Sequence, residues 1–169
     1  MEFTLKWNCI YYFRFDGNNG EDLTDASEWK VIADSRYRHH RGRLANYKGQ
    51  PFTTGSYSPD HKHTEVLQQQ TNGVLTWEKL PDYPFGTIFF GAGISGYAMT
   101  HSETAVYLIA GFEHFQFQMH PLGLIAKFEN DAWEKLDTKL ASKRHGHNAI
   151  WLEDELMVIG GHSEPGRTQ

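Results

Sequence analysis

The chain has 169 residues, 39% of them apolar and 14% aromatic, with 16 glycines and 6 prolines. That is enough for one domain with a true core, too aromatic for a disordered chain, and glycine-rich in the manner of strand-dominated folds. The formal net charge of −5 excludes a general nucleic-acid binder, which would carry a basic face.

The single cysteine, Cys9, rules out an internal disulfide and fits a reducing compartment, so a cytoplasmic protein is expected. No membrane span is expected either, because no stretch resembles the roughly 18 or more unbroken apolar residues that one needs. The opening "MEFTLKWNCIYYFRF" mixes Glu2, Lys6, Asn8 and Arg14 into its apolar residues, unlike a signal peptide.

Taken along the chain, "CIYYFRF" reads as a strand, "DGNNGEDLTDA" as a long loop, and "SEWKVIAD" as a strand carrying Trp29. "RLANYKGQPFTTG" reads as strand, tight turn, strand, ending on Gly55. "TEVLQQQ" and "LTWEKLPD" flank Asn72-Gly73, a hairpin signal, and the second of them carries Trp77. "FFGAGISGYA" has the Gly91-x-Gly93-x-x-Gly96 spacing of a dinucleotide loop. Such a loop needs a helix after it, and "YAMTHSETAVYLIAG" reads instead as a hairpin ending on Gly111, so a plain connection is expected. "GLIAKF" and "AWEKLDT" flank "END" and carry Trp133. "NAIWLEDELMVIGG" closes the series as strand, turn, strand and Gly160-Gly161. No segment holds a long apolar period of 3.6, so little helix is expected.

These elements share a register. Gly55, Gly111 and Gly161 are separated by 56 and 50 residues, and Trp29, Trp77 and Trp133 by 48 and 56. Trp77 follows Gly55 by 22 residues and Trp133 follows Gly111 by the same 22. Each unit is then four short strands, with a glycine closing the second and a tryptophan in the fourth. This pattern resembles the kelch repeat, whose blades are arranged radially as a β-propeller. Gly160-Gly161 matches the repeat's glycine pair in full, whereas Thr54 and Ala110 replace its first glycine in the other units. Phe128 fits the third-strand aromatic, which "VLQQQ" lacks. Arg144 and His147, 17 and 14 residues before Gly161, fit its upstream Arg and His. The same offsets from Gly55 land on Arg38 and Arg41, and from Gly111 on Ile94 and Tyr97.

The resemblance implies an all-β, kelch-type propeller arc of about three blade-equivalents with four-stranded antiparallel blades. Residues 1–37 would be a half blade (strands three and four), 38–93 and 94–143 whole blades, and 144–169 a half blade (strands one and two). Closed propellers need about four to eight blades. We therefore expect this chain to be a piece of a longer protein, an open arc, or a form that self-associates through its unpaired half blades.

Ten histidines invite a metal reading at His39-His40, His61/His63 and His145/His147. No carboxylate or cysteine completes a regular ligand spacing, so no metal or cofactor is expected. His39 and His147 are read as polar contacts between neighbouring blades. Cys9 lies in an apolar strand, where a thiol is usually inert, and no catalytic residue is selected. The basic run Ser35 to Arg43 suits a solvated loop, or an acidic peptide sooner than a phosphate backbone.

The resemblance implies protein–protein recognition, as in ubiquitin-ligase substrate adaptors or actin-associated proteins. The candidate contact loops are 57–63 and 113–121, with Tyr57, His61, His63, His114, Phe115, Phe117 and Met119 as candidate partner-binding residues. The alternatives are a propeller enzyme, of the copper oxidase or sugar epimerase kind, and a fragment without independent function.

Overall fold

The computed structural model of the protein describes residues 3–6, 9–12, 30–39, 41–56, 62–85, 94–115 and 118–163. Among them every regular element is a strand, and every pairing is antiparallel. No helix of the described residues is long and apolar enough to cross a membrane.

Two four-stranded sheets form the centre. The first runs β4 (Arg43–Tyr47), β5 (Gln50–Thr54), β6 (Thr64–Gln69), β7 (Leu75–Leu80), each strand beside the next. The second runs β9 (Ala98–His101), β10 (Val106–Ile109), β13 (Leu124–Glu129), β14 (Ala132–Lys139). Before them lies a three-stranded sheet of β1 (Phe3–Lys6), β2 (Cys9–Tyr12) and β3 (Lys30–Asp34). The sequence suggested two strands in this region; pairing of Phe3 with Tyr12 and Leu5 with Ile10 adds a third ahead of them. After the central sheets comes the hairpin β16 (Asn148–Leu152) and β17 (Glu155–Ile159).

Turn chemistry accounts for the tight connections. Lys48-Gly49, Asn130-Asp131 and Glu153-Asp154 each link two strands with both residues at positive φ, the backbone that matches the twist of a two-residue hairpin. Asn72-Gly73 behaves differently. Only Gly73 is left-handed, its amide bonds the Gln70 carbonyl, and the connection is a longer turn.

The glycine marks have a direct structural reason. Gly160 and Gly161 are both left-handed (φ 73 and 80), and Ala110 and Gly111 repeat that pair (φ 52 and 95). A Cβ on Gly111 would meet the Ser95 carbonyl oxygen at 2.8 Å and Tyr97 Cβ at 2.9 Å. One on Gly161 would meet the His145 oxygen and His147 Cβ, both at 2.7 Å. The second glycine is therefore compulsory, since backbone packs on backbone there. The first is only conformational, and Ala110 tolerates it at a cost of roughly 1–2 kcal/mol.

The first sheet leaves β5 through one left-handed residue, Gly55, instead of two. This shortens the unit by one. Arg41 shares the left-handed backbone of Gly96 and Gly146 (φ 60, 64 and 64), so Gly42, not Arg41, stands where Tyr97 and His147 stand. Gly55 accordingly aligns with Ala110 and Gly160, one position earlier than equal spacing places it.

The tryptophans tie consecutive sheets. Trp77 Nε1 donates to the Ala33 carbonyl (3.4 Å) and Trp133 Nε1 to the Pro81 carbonyl (3.1 Å). Ala33 lies four residues after Trp29 and Pro81 four after Trp77, so Trp77 and Trp133 bond the same sequence position of the preceding unit. Trp29 itself lies outside the described residues. Across the hairpins Phe128 faces Trp133 and Leu67 faces Trp77, so Leu67 occupies the aromatic position that "VLQQQ" lacked.

The core lies between sheets. Tyr47 and Phe52 of the first meet Val106 and Phe128 of the second, with Trp133 against them. The Phe52 and Phe128 rings lie 5.1 Å apart, and Phe128 and Trp133 also 5.1 Å. On its other side the second sheet presents Ala98, Ile109, Ala110 and Ile125 to Ala149, Leu156 and Val158 of the hairpin.

Candidate functional site

Antiparallel order puts the turns between first and second strands at one end of the sheets. The connections from second to third strand, and from each sheet to the next, gather at the other end. Most of the unusual polar chemistry lies at this connection end.

Its deepest feature is a buried pair. His39 Nε2 lies 2.8 Å from Glu65 Oε2, with side chains 2% and 0% exposed. His39 Nδ1 lies 3.1 Å from the Gly55 carbonyl oxygen. The Glu65 carboxylate also accepts from the Arg36 amide (3.1 Å) and the Tyr37 amide (3.3 Å). A buried carboxylate needs such saturation to be tolerated. The pair clamps the segment entering the first sheet to β6, and it makes His39 structural.

Tyr97 performs the comparable task one sheet on. Its hydroxyl donates to the Thr54 carbonyl and accepts from the Arg43 amide (3.3 Å). Burial pushes the phenol's pKa up. His147 occupies the matching place beside Ile109, which ends β10 as Thr54 ends β5. Its ring is buried, and neither nitrogen makes a hydrogen bond of good geometry to a protein group. Burial holds the His147 pKa below the ordinary histidine value, opposed by the Ile109 backbone.

Outside these ties the connection end carries two aromatic–histidine patches. In one, the Tyr37 and His63 rings stack at 3.6 Å, His63 Nδ1 lies 3.1 Å from Asp82 Oδ1, and Lys79 Nζ lies 3.3 Å from the same oxygen. In the other, β15 (Arg144–His145) pairs with β18 (His162–Ser163). There Phe112 meets His145 edge-on at 5.1 Å, and His145 stacks on His162 at 5.5 Å. Phe112 is buried beneath the second patch, His145, Tyr37 and His63 are half-buried, and His162 is exposed. Among the described residues, no three His, Cys, Asp or Glu side chains come together as a metal site.

Of the residues singled out in sequence, His63 belongs to the first patch. Arg144 Nη1 donates to the Gly160 carbonyl (2.8 Å), bracing the glycine pair. Arg38 is exposed. Tyr57, His61 and Phe117 lie outside the described residues. His114, Phe115 and Met119 do not lie on a loop. The segment 113–121 is largely a hairpin of β11 (Phe112–Phe115) and β12 (Gln118–Pro121), with His114 paired to Met119. Its inner strand adds to β8 (Ile94–Ser95), making a further, three-stranded sheet. The apolar–polar alternation Phe115, Phe117, Met119 is the strand signal that a loop reading overlooked. Tyr37, Glu65, Asp82 and His162 escaped sequence reasoning, because each finds its partner across sheets with no fixed spacing.

The opposite end holds an open groove of about 490 Å³, bounded by the first-to-second strand turns. Asn46, Lys48 and Gly49 come from one turn, His101, Ser102 and Glu103 from the next, and Trp151 from β16.

No family model matches the chain, and no curated protein matches it. It is similar to the solved structure of YjhT, with a TM-score of 0.61 at 15% identity over 75% of this chain. The match spans 35% of the YjhT chain. At that identity the likeness concerns fold alone: an all-β chain of antiparallel four-stranded sheets.

Proposed function

We propose that this chain is a kelch-type β-propeller arc acting as a protein-interaction module, with the connection end of its sheets as the recognition surface. One observation carries the repeat reading: Trp77 and Trp133 each bond the carbonyl four residues after the preceding unit's tryptophan. Successive sheets then stand in one repeated relation, as blades do. On such a scaffold the connection loops are the variable, solvent-facing part, held by rigid ties. Tyr37, His63, Lys79 and Asp82 form a mixed aromatic and charged patch of the kind that binds peptides. The basic residues Arg36, Arg38 and Arg41 beside it favour an acidic peptide or protein surface. A cytoplasmic setting belongs with this reading, as do the adaptor and actin-associated roles that kelch resemblance implies.

The test is selection of a displayed library of acidic and neutral peptides against the folded chain. Enriched acidic ligands should lose affinity roughly tenfold or more with His63→Ala or Lys79→Ala. They should bind unchanged to His101→Ala, at the other end. No enrichment, or equal loss with His101→Ala, would sink the proposal.

A further inference from the structure

We propose that the groove at the turn end of the sheets is a docking site for an arginine-bearing segment of a partner protein, with the guanidinium held between the Trp151 ring and the Glu103 carboxylate. The site stands apart from the recognition surface at the connection end and does not depend on it.

Three successive units build the groove. The β4–β5 turn supplies Asn46, Lys48 and Gly49, the β9–β10 turn supplies His101, Ser102 and Glu103, and β16 supplies Trp151. Its volume of about 490 Å³ falls within the roughly 300–1,000 Å³ of natural ligand pockets. It is a polar groove with one aromatic wall. The half-buried Trp151 indole lies nearly parallel to the Tyr107 ring, at 4.5 Å and 10°. Tyr107 thus backs one face of the indole and fixes its orientation, and the ring still lines the groove. A ring already held in place loses little freedom when a ligand arrives.

The polar groups of the groove divide into engaged and unengaged ones. Asn46 Oδ1 accepts from the Gly49 amide (2.7 Å) and Ser102 Oγ from the Ala105 amide (3.2 Å). Lys48 Nζ sits 4.9 Å from the centre of the Tyr47 ring. These contacts shape the two turns. The Glu103 carboxylate is exposed and, among the described residues, has no hydrogen-bonding or ion-pair partner. An unengaged anionic acceptor beside an aromatic wall is the complement of a flat cation, because the ring's negative face attracts positive charge.

The charge distribution points the same way. The β13–β14 turn opens at this end too, so Asp131 joins Glu103, Glu153 and Asp154 there. Among the described turns of this end, Lys48 is the one basic residue. The connection end has the opposite sign, with Arg36, Arg38, Arg41, Lys143 and Arg144. A field of this polarity draws a cationic segment to the turn end. Arginine fits better than lysine. Its guanidinium is planar, stacks on an aromatic face and forks onto a carboxylate with two N–H donors, whereas an ammonium is a strongly hydrated point charge.

The experiment is amide and indole nuclear magnetic resonance of the folded 169-residue chain, titrated with blocked pentapeptides Gly-Ser-X-Ser-Gly. With arginine at X, saturable shifts are expected at the Trp151 indole, assigned through Trp151→Phe, and at the 46–49 and 101–103 amides. Citrulline keeps the shape and loses the charge, and should bind roughly tenfold more weakly. Lysine should also bind more weakly than arginine. Glu103→Gln should weaken the arginine peptide roughly tenfold. Asp137→Asn, which removes an exposed carboxylate from β14 away from these turns, should leave binding unchanged. Both substituted side chains face solvent, so the two variants should keep the parent's amide spectrum outside the site. Absence of a shift at Trp151, equal binding of citrulline or lysine, a Glu103→Gln chain that binds like the parent, or equal weakening by Asp137→Asn would each overturn the proposal.

Discussion

The two junctions flanking the second four-stranded sheet share a topology and differ in filling. On the side of the first sheet the contact is aromatic: Tyr47, Phe52, Phe128 and Trp133 interlock, and Tyr83 meets Trp133 edge-on at 5.0 Å. On the hairpin side it is small and aliphatic, with one aromatic stack, Tyr107 on Trp151, at 4.5 Å. The ties differ in parallel. A tyrosine hydroxyl completes the first junction with a donated and an accepted hydrogen bond, while His147 completes the second without one of good geometry. The two junctions thus share where sheets touch, and the side chains decide how strongly. The first junction joins two whole sheets; the second joins a whole sheet to two strands and should open first.

Truncation should expose that difference most clearly. Phe128→Ala should cost about 3–5 kcal/mol in denaturant unfolding, and the half-buried Leu156→Ala only about 2. Equal losses would mean the junctions are equally tight. Next comes the clamp onto the first sheet. Glu65→Ala leaves His39 buried against no carboxylate and should cost about 3 kcal/mol, read as a lowered urea midpoint at neutral pH. The glycine pair supplies a finer contrast. Gly111→Ala forces a Cβ onto the Tyr97 backbone and should cost about 2–3 kcal/mol. Ala110→Gly, one residue earlier, relieves left-handed strain but removes a buried methyl, so the two should nearly cancel and leave stability within about 1 kcal/mol of the parent, far from the loss at Gly111.

The smallest effect is a pH dependence confined to the hairpin junction. His147 is held below its ordinary pKa in the folded chain, so the unfolded chain binds the extra proton more readily. Its contribution is fully present above the unfolded value of about 6.5 and is lost as pH falls below it. The urea midpoint should decline between about pH 7.5 and about pH 5.5, and His147→Asn should flatten part of that slope. An unchanged slope would place the pH sensitivity elsewhere.

Strand positions, the hairpins around Lys48-Gly49 and Glu153-Asp154, and the glycine and tryptophan spacing were legible in the sequence. Each depends on local backbone preference or on a side chain repeated at one structural position. The first unit's register was legible only to within one residue, because Gly55 leaves its strand by one left-handed step where the other units take two. The strand nature of 112–115 and 118–121 was legible in principle from alternation, yet settled only by pairing with β8.

What tertiary structure alone decided is whatever bridges sheets: Glu65 beneath His39, Tyr97 on Thr54, Tyr37 on His63, and which face of β16–β17 is covered. Two apolar faces of one hairpin look alike in sequence, since alternation reports side-chain direction and not what arrives to meet it. The closed face and the open one differ only in having a neighbouring sheet, and that is a long-range fact.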